Sequence, residues 1–189
     1  MYMTTKKHQM ILMMGGQGVG KGTFSRMLMA QHPYKYIETG AILRSMPADS
    51  DVVKTISAGN FVSDELLFDI MKHEIPDNMD VILDGFPRKI SQAQWLVDNY
   101  TDKFDIYALY LSVPTEVLIQ RINKRIDEGS KRADDASPEI IRKRLDNYFK
   151  ITMPAINWLR ECPYVHFSEI DARGDVNDNF ADIMNALQK

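Results

Sequence analysis

The sequence predicts an α/β fold, a parallel sheet of about five strands with helices on both faces, making three layers. Two observations point there. Short apolar runs recur at Met10 to Met14, Val81 to Leu83, Ile106 to Leu111 and Tyr164 to Phe167, with a weaker one at Tyr34 to Ile37 after Pro33. Short apolar runs of this kind suit strands buried on both faces. Between them lie longer charged stretches with helical spacing, and strand alternating with helix is the pattern of crossover units in a parallel sheet. No repeat, low-complexity tract or linker divides the chain, so residues 10–189 read as one domain.

Residues 1–9 are polar and carry Lys6, Lys7 and His8, which reads as a disordered tail; the apolar run after it is too short for a signal-peptide core. The first strand leads directly into Gly15-Gly16-Gln17-Gly18-Val19-Gly20-Lys21-Gly22-Thr23, and Phe24 to Ala30 then opens a helix. That is the setting of a phosphate loop. Glycines let the backbone curl so that successive N–H groups face phosphate oxygens, the helix offers its positive end, and Lys21 spans the β- and γ-phosphates. Gly16, Gly18, Val19, Gly20, Lys21, Gly22 and Thr23 are the candidate ATP-binding residues, and the expected architecture is the P-loop NTPase fold.

The third strand ends in Val81-Ile82-Leu83-Asp84-Gly85-Phe86-Pro87-Arg88. A carboxylate at the carboxyl edge of the sheet, beside the phosphate loop, is placed to organise Mg²⁺ through its waters, because that ion keeps several of them. Asp84 is the candidate metal residue, and Arg88 would reach the transferring phosphoryl. An arginine series comes next. Arg121 and Arg125 are four apart and share a helix face, Arg132 sits in a charged segment, and Arg144 lies on a long helix predicted from Pro138 to about Arg160. Ser137 is its N-cap, with Pro138 and Glu139 in the first turn and a kink at Thr152 and Pro154. Bidentate guanidinium groups suit a loose phosphoryl-transfer transition state, where the protein works by positioning and charge stabilisation. Arg142 and Lys143 are expected to face water. Two regions break the strand-and-helix rhythm, Ala41 to about Lys72 and Asp127 to Ser137, and both read as mobile insertions over one edge of the sheet.

These motifs resemble the adenylate kinase family, and the resemblance runs from about Met10 to the C-terminus. Gly22 after the loop lysine and the full Asp-Gly-Phe-Pro-Arg segment carry it. Thr39-Gly40-Ala41-Ile42-Leu43-Arg44 is similar to a segment whose threonine faces the monophosphate base and whose arginine holds its phosphate; here Ala41 replaces the usual acidic residue. Asn60, Phe61 and Val62 fall in the stretch whose backbone lines the AMP base pocket, Gln92 matches the glutamine that hydrogen-bonds adenine, and Gly85, Phe86, Pro87 and Arg88 complete the AMP side. The resemblance further implies that Arg121 packs near the ATP base and Arg125 contacts its phosphates. Arg132 and Arg144 would bridge toward the monophosphate, and the backbone of Gly174 would touch the ATP base. Arg144 takes its place if one residue is inserted near Ala136 or Ser137. The monophosphate-binding insertion would span about 39–72 and a short lid about 126–137, with no Cys or His set for zinc.

The activity implied by the resemblance is reversible, Mg²⁺-dependent transfer of the γ-phosphoryl of ATP to AMP, with Lys21, Arg88, Arg125, Arg132 and Arg144 as catalytic groups. UMP, CMP or another small acceptor stays open, because the stretch from Arg44 to Gly59 is several residues shorter than is usual. A nucleotide-switch GTPase is disfavoured: Asn123-Lys124-Arg125-Ile126 carries Ile where guanine recognition needs Asp. The net charge of −3 argues against binding nucleic acid or an anionic membrane through an overall basic field. A single cysteine, Cys162, excludes an internal disulfide, and His8, His32, His73 and His166 show no metal spacing. A monomer in the cytoplasm is the expectation.

Overall fold

The computed structural model describes residues 7–127 and 137–188, with the side chains of residues 125–127 outside the description. Five strands form one parallel sheet: β1 (His8–Met14), β2 (Lys35–Glu38), β3 (Val81–Asp84), β4 (Phe104–Ser112) and β5 (Val165–Asp171), in the order β2-β3-β1-β4-β5. The central runs become strands because they bury both faces, as β1, β3 and β4 largely do, while the edge strands β2 and β5 are only partly buried. Along β1, Met10, Leu12 and Met14 join one core while Ile11 and Met13 join the other. The tail expected through residue 9 ends sooner. His8 and Gln9 are polar, yet they pair with Phe104 and Asp105 of β4 and start the strand two residues early.

The first core is closed by α4 (Asp64–Glu74), α5 (Ile90–Tyr100) and α8 (Met153–Glu161), through Met71, Leu96, Ile156 and their neighbours. The second is closed by α1 (Lys21–Gln31), α6 (Thr115–Asp127) and α9 (Val176–Ala186), through Leu28, Leu118 and Ile183. Methionines fill gaps as unbranched thioethers do: Met10, Met13, Met14 and Met71 are buried.

The monophosphate-binding insertion expected over about 39–72 contains α2 (Thr39–Arg44) and α3 (Asp51–Ser57) before α4. Ser50 Oγ caps α3 at Val53 N, 3.2 Å, and Ser63 Oγ caps α4 at Leu66 N, 3.3 Å. Each satisfies one of the orphan donors of a helix start. The long helix divides as anticipated at Thr152 and Pro154. α7 (Pro138–Asn147), capped by Ser137, passes through a π turn (Tyr148–Thr152) into α8. Pro154 has no N–H to give to residue 150, and the wider turn absorbs that loss. Among the described residues no helix is long and apolar enough to cross a membrane.

Candidate active site

β1 has β3 on one side and β4 on the other, so the chain reverses its direction of travel across the sheet beside β1. Crevices at the carboxyl ends of strands at such a point are where open α/β sheets bind ligands. A cavity of about 440 Å³ opens there, between the phosphate loop, the ends of β2 and β3, the α2–α4 insertion and α7.

The phosphate loop is shaped by glycine. Gly15 has φ 133°, and a Cβ there would lie 2.6 Å from the Leu111 carbonyl oxygen; Gly20, at φ 113°, turns the chain into α1. Lys21 Nζ donates to the carbonyls of Gly15 (2.9 Å) and Gly16 (3.1 Å), which holds the ammonium over the loop. Gly18, Gly20, Lys21, Gly22 and Thr23 line the cavity. Gly16 and Val19 form the loop's underside instead: Val19 is buried, and Gly16 backs onto Leu118.

Arg121 joins two loops. Its Nη1 donates to the Val19 carbonyl at 3.0 Å and its Nη2 to the Ala172 carbonyl at 2.8 Å, which fixes the phosphate loop against the β5–α9 turn. Gly174, on that turn, is exposed and lies off the cavity wall; its carbonyl accepts from Asn179 Nδ2 at 3.2 Å.

Across the cavity three arginines converge from separate elements: Arg44 from α2, Arg88 from the β3–α5 loop and Arg144 from α7. Arg144 donates to Gln17 Oε1 and to the Ile56 carbonyl, both at 3.4 Å, and Asn147 Nδ2 donates to the Gly59 carbonyl at 2.9 Å. The long helix is thus tied to both the phosphate loop and the insertion. Asn60, Phe61, Val62, Gly85 and Pro87 complete this wall. Arg142 and Lys143 are exposed, as expected. Arg132 lies outside the described residues, and so does the side chain of Arg125, whose backbone belongs to α6.

Three expected contact residues sit behind the wall. Phe86 is buried in the first core. Thr39 is buried, and its Oγ1 has no partner among the described residues. Gln92 is fully buried; its Oε1 accepts from Arg88 N at 2.8 Å and its Nε2 donates to Asp64 Oδ1 at 2.9 Å. Asp64 also accepts from Lys89 Nζ at 2.8 Å and Ser91 Oγ at 2.6 Å. Burial acts to raise its pKa, but the hydrogen bonds from Lys89, Ser91 and Gln92 carry it below the usual carboxylate value.

Asp84 ends β3 at the cavity floor, 9% exposed, with Oδ2 accepting from the Tyr36 hydroxyl at 3.0 Å. A hard carboxylate oxygen in the cavity that Lys21 and Thr23 also line fits Mg²⁺, which takes one or two protein carboxylates and completes its shell with water and nucleotide phosphates. Among the described residues no group of three or more His, Cys, Asp or Glu side chains is placed to hold a metal.

Sequence reasoning missed Glu38, Tyr36, Gln17 and Asn147. Glu38 carried a readable signal, since it ends an apolar strand at the carboxyl edge as Asp84 does; the others depend on contacts remote in sequence.

A family model described as adenylate kinase matches residues 13–163, a span that holds the phosphate loop, Asp84 to Arg88 and Arg144. The chain belongs to the adenylate kinase family. Similar proteins include the adenylate kinase of Prochlorococcus marinus, 36% identical over 190 residues, covering 96% of this chain and 99% of the relative. The adenylate kinase of Bacteroides thetaiotaomicron is 36% identical over 190 residues, covering 95% and 98%. That of Porphyromonas gingivalis is 36% identical over 167 residues, covering 82% and 84%. The matches to these adenylate kinases cover 82–96% of this chain and are not confined to the phosphate loop.

Proposed function

We propose that the protein catalyses reversible, Mg²⁺-dependent transfer of the γ-phosphoryl of ATP to AMP, giving two ADP. The observation that carries the reading is one cavity lined by Lys21 and Asp84 and also by Arg44, Arg88 and Arg144. A phosphate loop alone serves any nucleotide; three arginines facing it call for a second phosphate.

No covalent enzyme intermediate is needed. An already ionised phosphate oxygen of the monophosphate forms the new P–O bond as the bond from the γ-phosphorus to the departing ADP breaks, so no proton has to be removed. Lys21 would leave the Gly15 and Gly16 carbonyls for the β- and γ-phosphates, which are charged and stronger acceptors. Arg88 and Arg144 would carry charge on the transferring group, with Arg125 and Arg132 joining them, while Arg44 holds the acceptor phosphate. Mg²⁺ held through water at Asp84 would supply further charge neutralisation on the donor phosphates. Arg121 would place the ATP base by fixing the turn that carries Gly174. On the acceptor side, Asn60, Phe61, Val62, Gly85 and Pro87 would enclose the base, with Thr39, Phe86 and Gln92 supporting that wall. Closing the insertion over the cavity would exclude water as a competing acceptor. The protein would act as a monomer in the cytoplasm.

The test is ADP formation from Mg-ATP with a panel of monophosphates. AMP as the preferred acceptor is the expected result. Turnover with UMP or CMP but not AMP would overturn the acceptor, and no turnover with any monophosphate would overturn the kinase reading.

A further inference from the structure

Glu38 is the last residue of β2 and the residue that starts α2, yet its side chain makes no cap hydrogen bond to that helix. A carboxylate at a helix start is normally drawn to the free N–H groups there. Here it turns into the cavity and takes Arg44, with Oε1 at 2.8 Å from Nη2. Both side chains line the cavity and are half-buried, 26% and 29% exposed. Across the strand pair Glu38 stands opposite Asp84, whose Oδ2 is held by Tyr36. Glu38 therefore sets a carboxylate on the arginine that a phosphate dianion has to reach.

We propose that Glu38 is a built-in competitor for the acceptor phosphate, holding the Arg44 guanidinium so that a monophosphate binds only by displacing the carboxylate. A guanidinium presents a planar fork that one carboxylate or one phosphate satisfies in the same way, so the two anions compete for the same edge of Arg44. A phosphate dianion carries the greater charge and wins, but the affinity is lowered by what the Glu38 pair was worth and by repulsion from the released carboxylate. The device sets how much monophosphate is needed to load the site, and it acts on the phosphate rather than on the base. This inference rests on the proposed function in taking Arg44 as a ligand of the acceptor phosphate.

The experiment is calorimetric titration of AMP, and separately of adenosine and of ATP, into the full chain and into its Glu38→Gln variant, with thermal melts of both. Glu38→Gln should bind AMP at least about threefold tighter, with the KM for AMP falling in step. Adenosine, which lacks the phosphate, and ATP should bind both proteins equally. Glu38→Ala gives the same reading should Glu38→Gln melt abnormally. Unchanged or weaker AMP binding in both variants, alongside normal ATP–AMP turnover in the unaltered protein, overturns the inference and leaves the proposed function standing. Equal tightening of adenosine overturns it too, since a general loosening of the pocket would then explain the gain. If UMP or CMP is the working acceptor, the same tightening with that monophosphate upholds the role of Glu38 while overturning AMP as acceptor.

Discussion

Gln92 Oε1 accepts the backbone N–H of Arg88 at 2.8 Å, from a side chain that is completely buried. The other end of the same amide reaches Asp64 at the start of α4, so one glutamine connects the insertion to the loop that aims an arginine into the cavity. Lys89 strengthens the joint from the surface, lying 5.8 Å above the ring of Phe61 while also holding Asp64.

Gln92→Leu keeps the volume but leaves the Arg88 N–H and one Asp64 oxygen without this partner. Leaving this part-buried donor unpaired costs up to about 1–3 kcal/mol, so the variant should melt lower. Release of the loop should also lower kcat at least roughly tenfold, because misplacing a reacting group by about 1 Å is worth up to ~10²-fold. Steady-state kinetics with thermal melts check both. Normal turnover in a destabilised Gln92→Leu protein would show that the amide supports the fold and not the arginine.

Lys21→Ala removes the ammonium that rests on the Gly15 and Gly16 carbonyls. Both contacts are only part-buried and the Gly15 end lies on the cavity, so water can replace the lost donor and the fold should be little affected. Turnover should fall by at least roughly a hundredfold, within the ~10²- to 10³-fold that loss of one preorganised donor costs. Near-normal turnover in folded Lys21→Ala would refute its place at the phosphates.

Arg121→Ala should act on the donor side alone. It takes one donor from Val19, inside the phosphate loop, and one from Ala172, on the turn after β5. With each such charged hydrogen bond worth ~1.5–3 kcal/mol, loss of the tie should weaken ATP binding by about tenfold or more. AMP affinity, measured by titration without ATP, should stay as it was. Equal loss for both nucleotides would place the effect on the whole site rather than on the loop.

The strands were legible because each carries a short apolar run, and the phosphate loop because glycines, lysine and helix start fall in a fixed order. What escaped depends on partners far along the chain. The start of β1 at His8 is set by its ladder with β4, which outweighs the polarity of His8 and Gln9. α3 hides in a segment with a turn-like composition, and it is held by the Ser50 cap and by Val52 and Ile56 packing on the first core. For Gln92 the sequence supplies an amide but not its direction; Asp64, 28 residues earlier, decides that.

The foot of the sheet, remote from the cavity, gives a pH prediction. Asp80 precedes β3 and accepts from Gln9 N at 2.8 Å, His8 Nδ1 at 3.2 Å and His32 Nε2 at 2.6 Å. Burial acts to raise its pKa, but the Gln9 N–H and then the His32 and His8 rings bring it below the ordinary carboxylate value. A carboxyl whose folded value is depressed stabilises the fold fully above its unfolded value, ~3.9, and that stabilisation is lost as pH falls below it toward the folded value. At neutral pH, Asp80→Asn should cost ~1.5–3 kcal/mol, roughly 3–12 °C in Tm for a chain of this size. The gap between the two proteins should close below about 4, where the unaltered Asp80 takes up its proton. Melts across that range decide it, and a gap that holds or widens in acid would mean that Asp80 gains nothing from its charge.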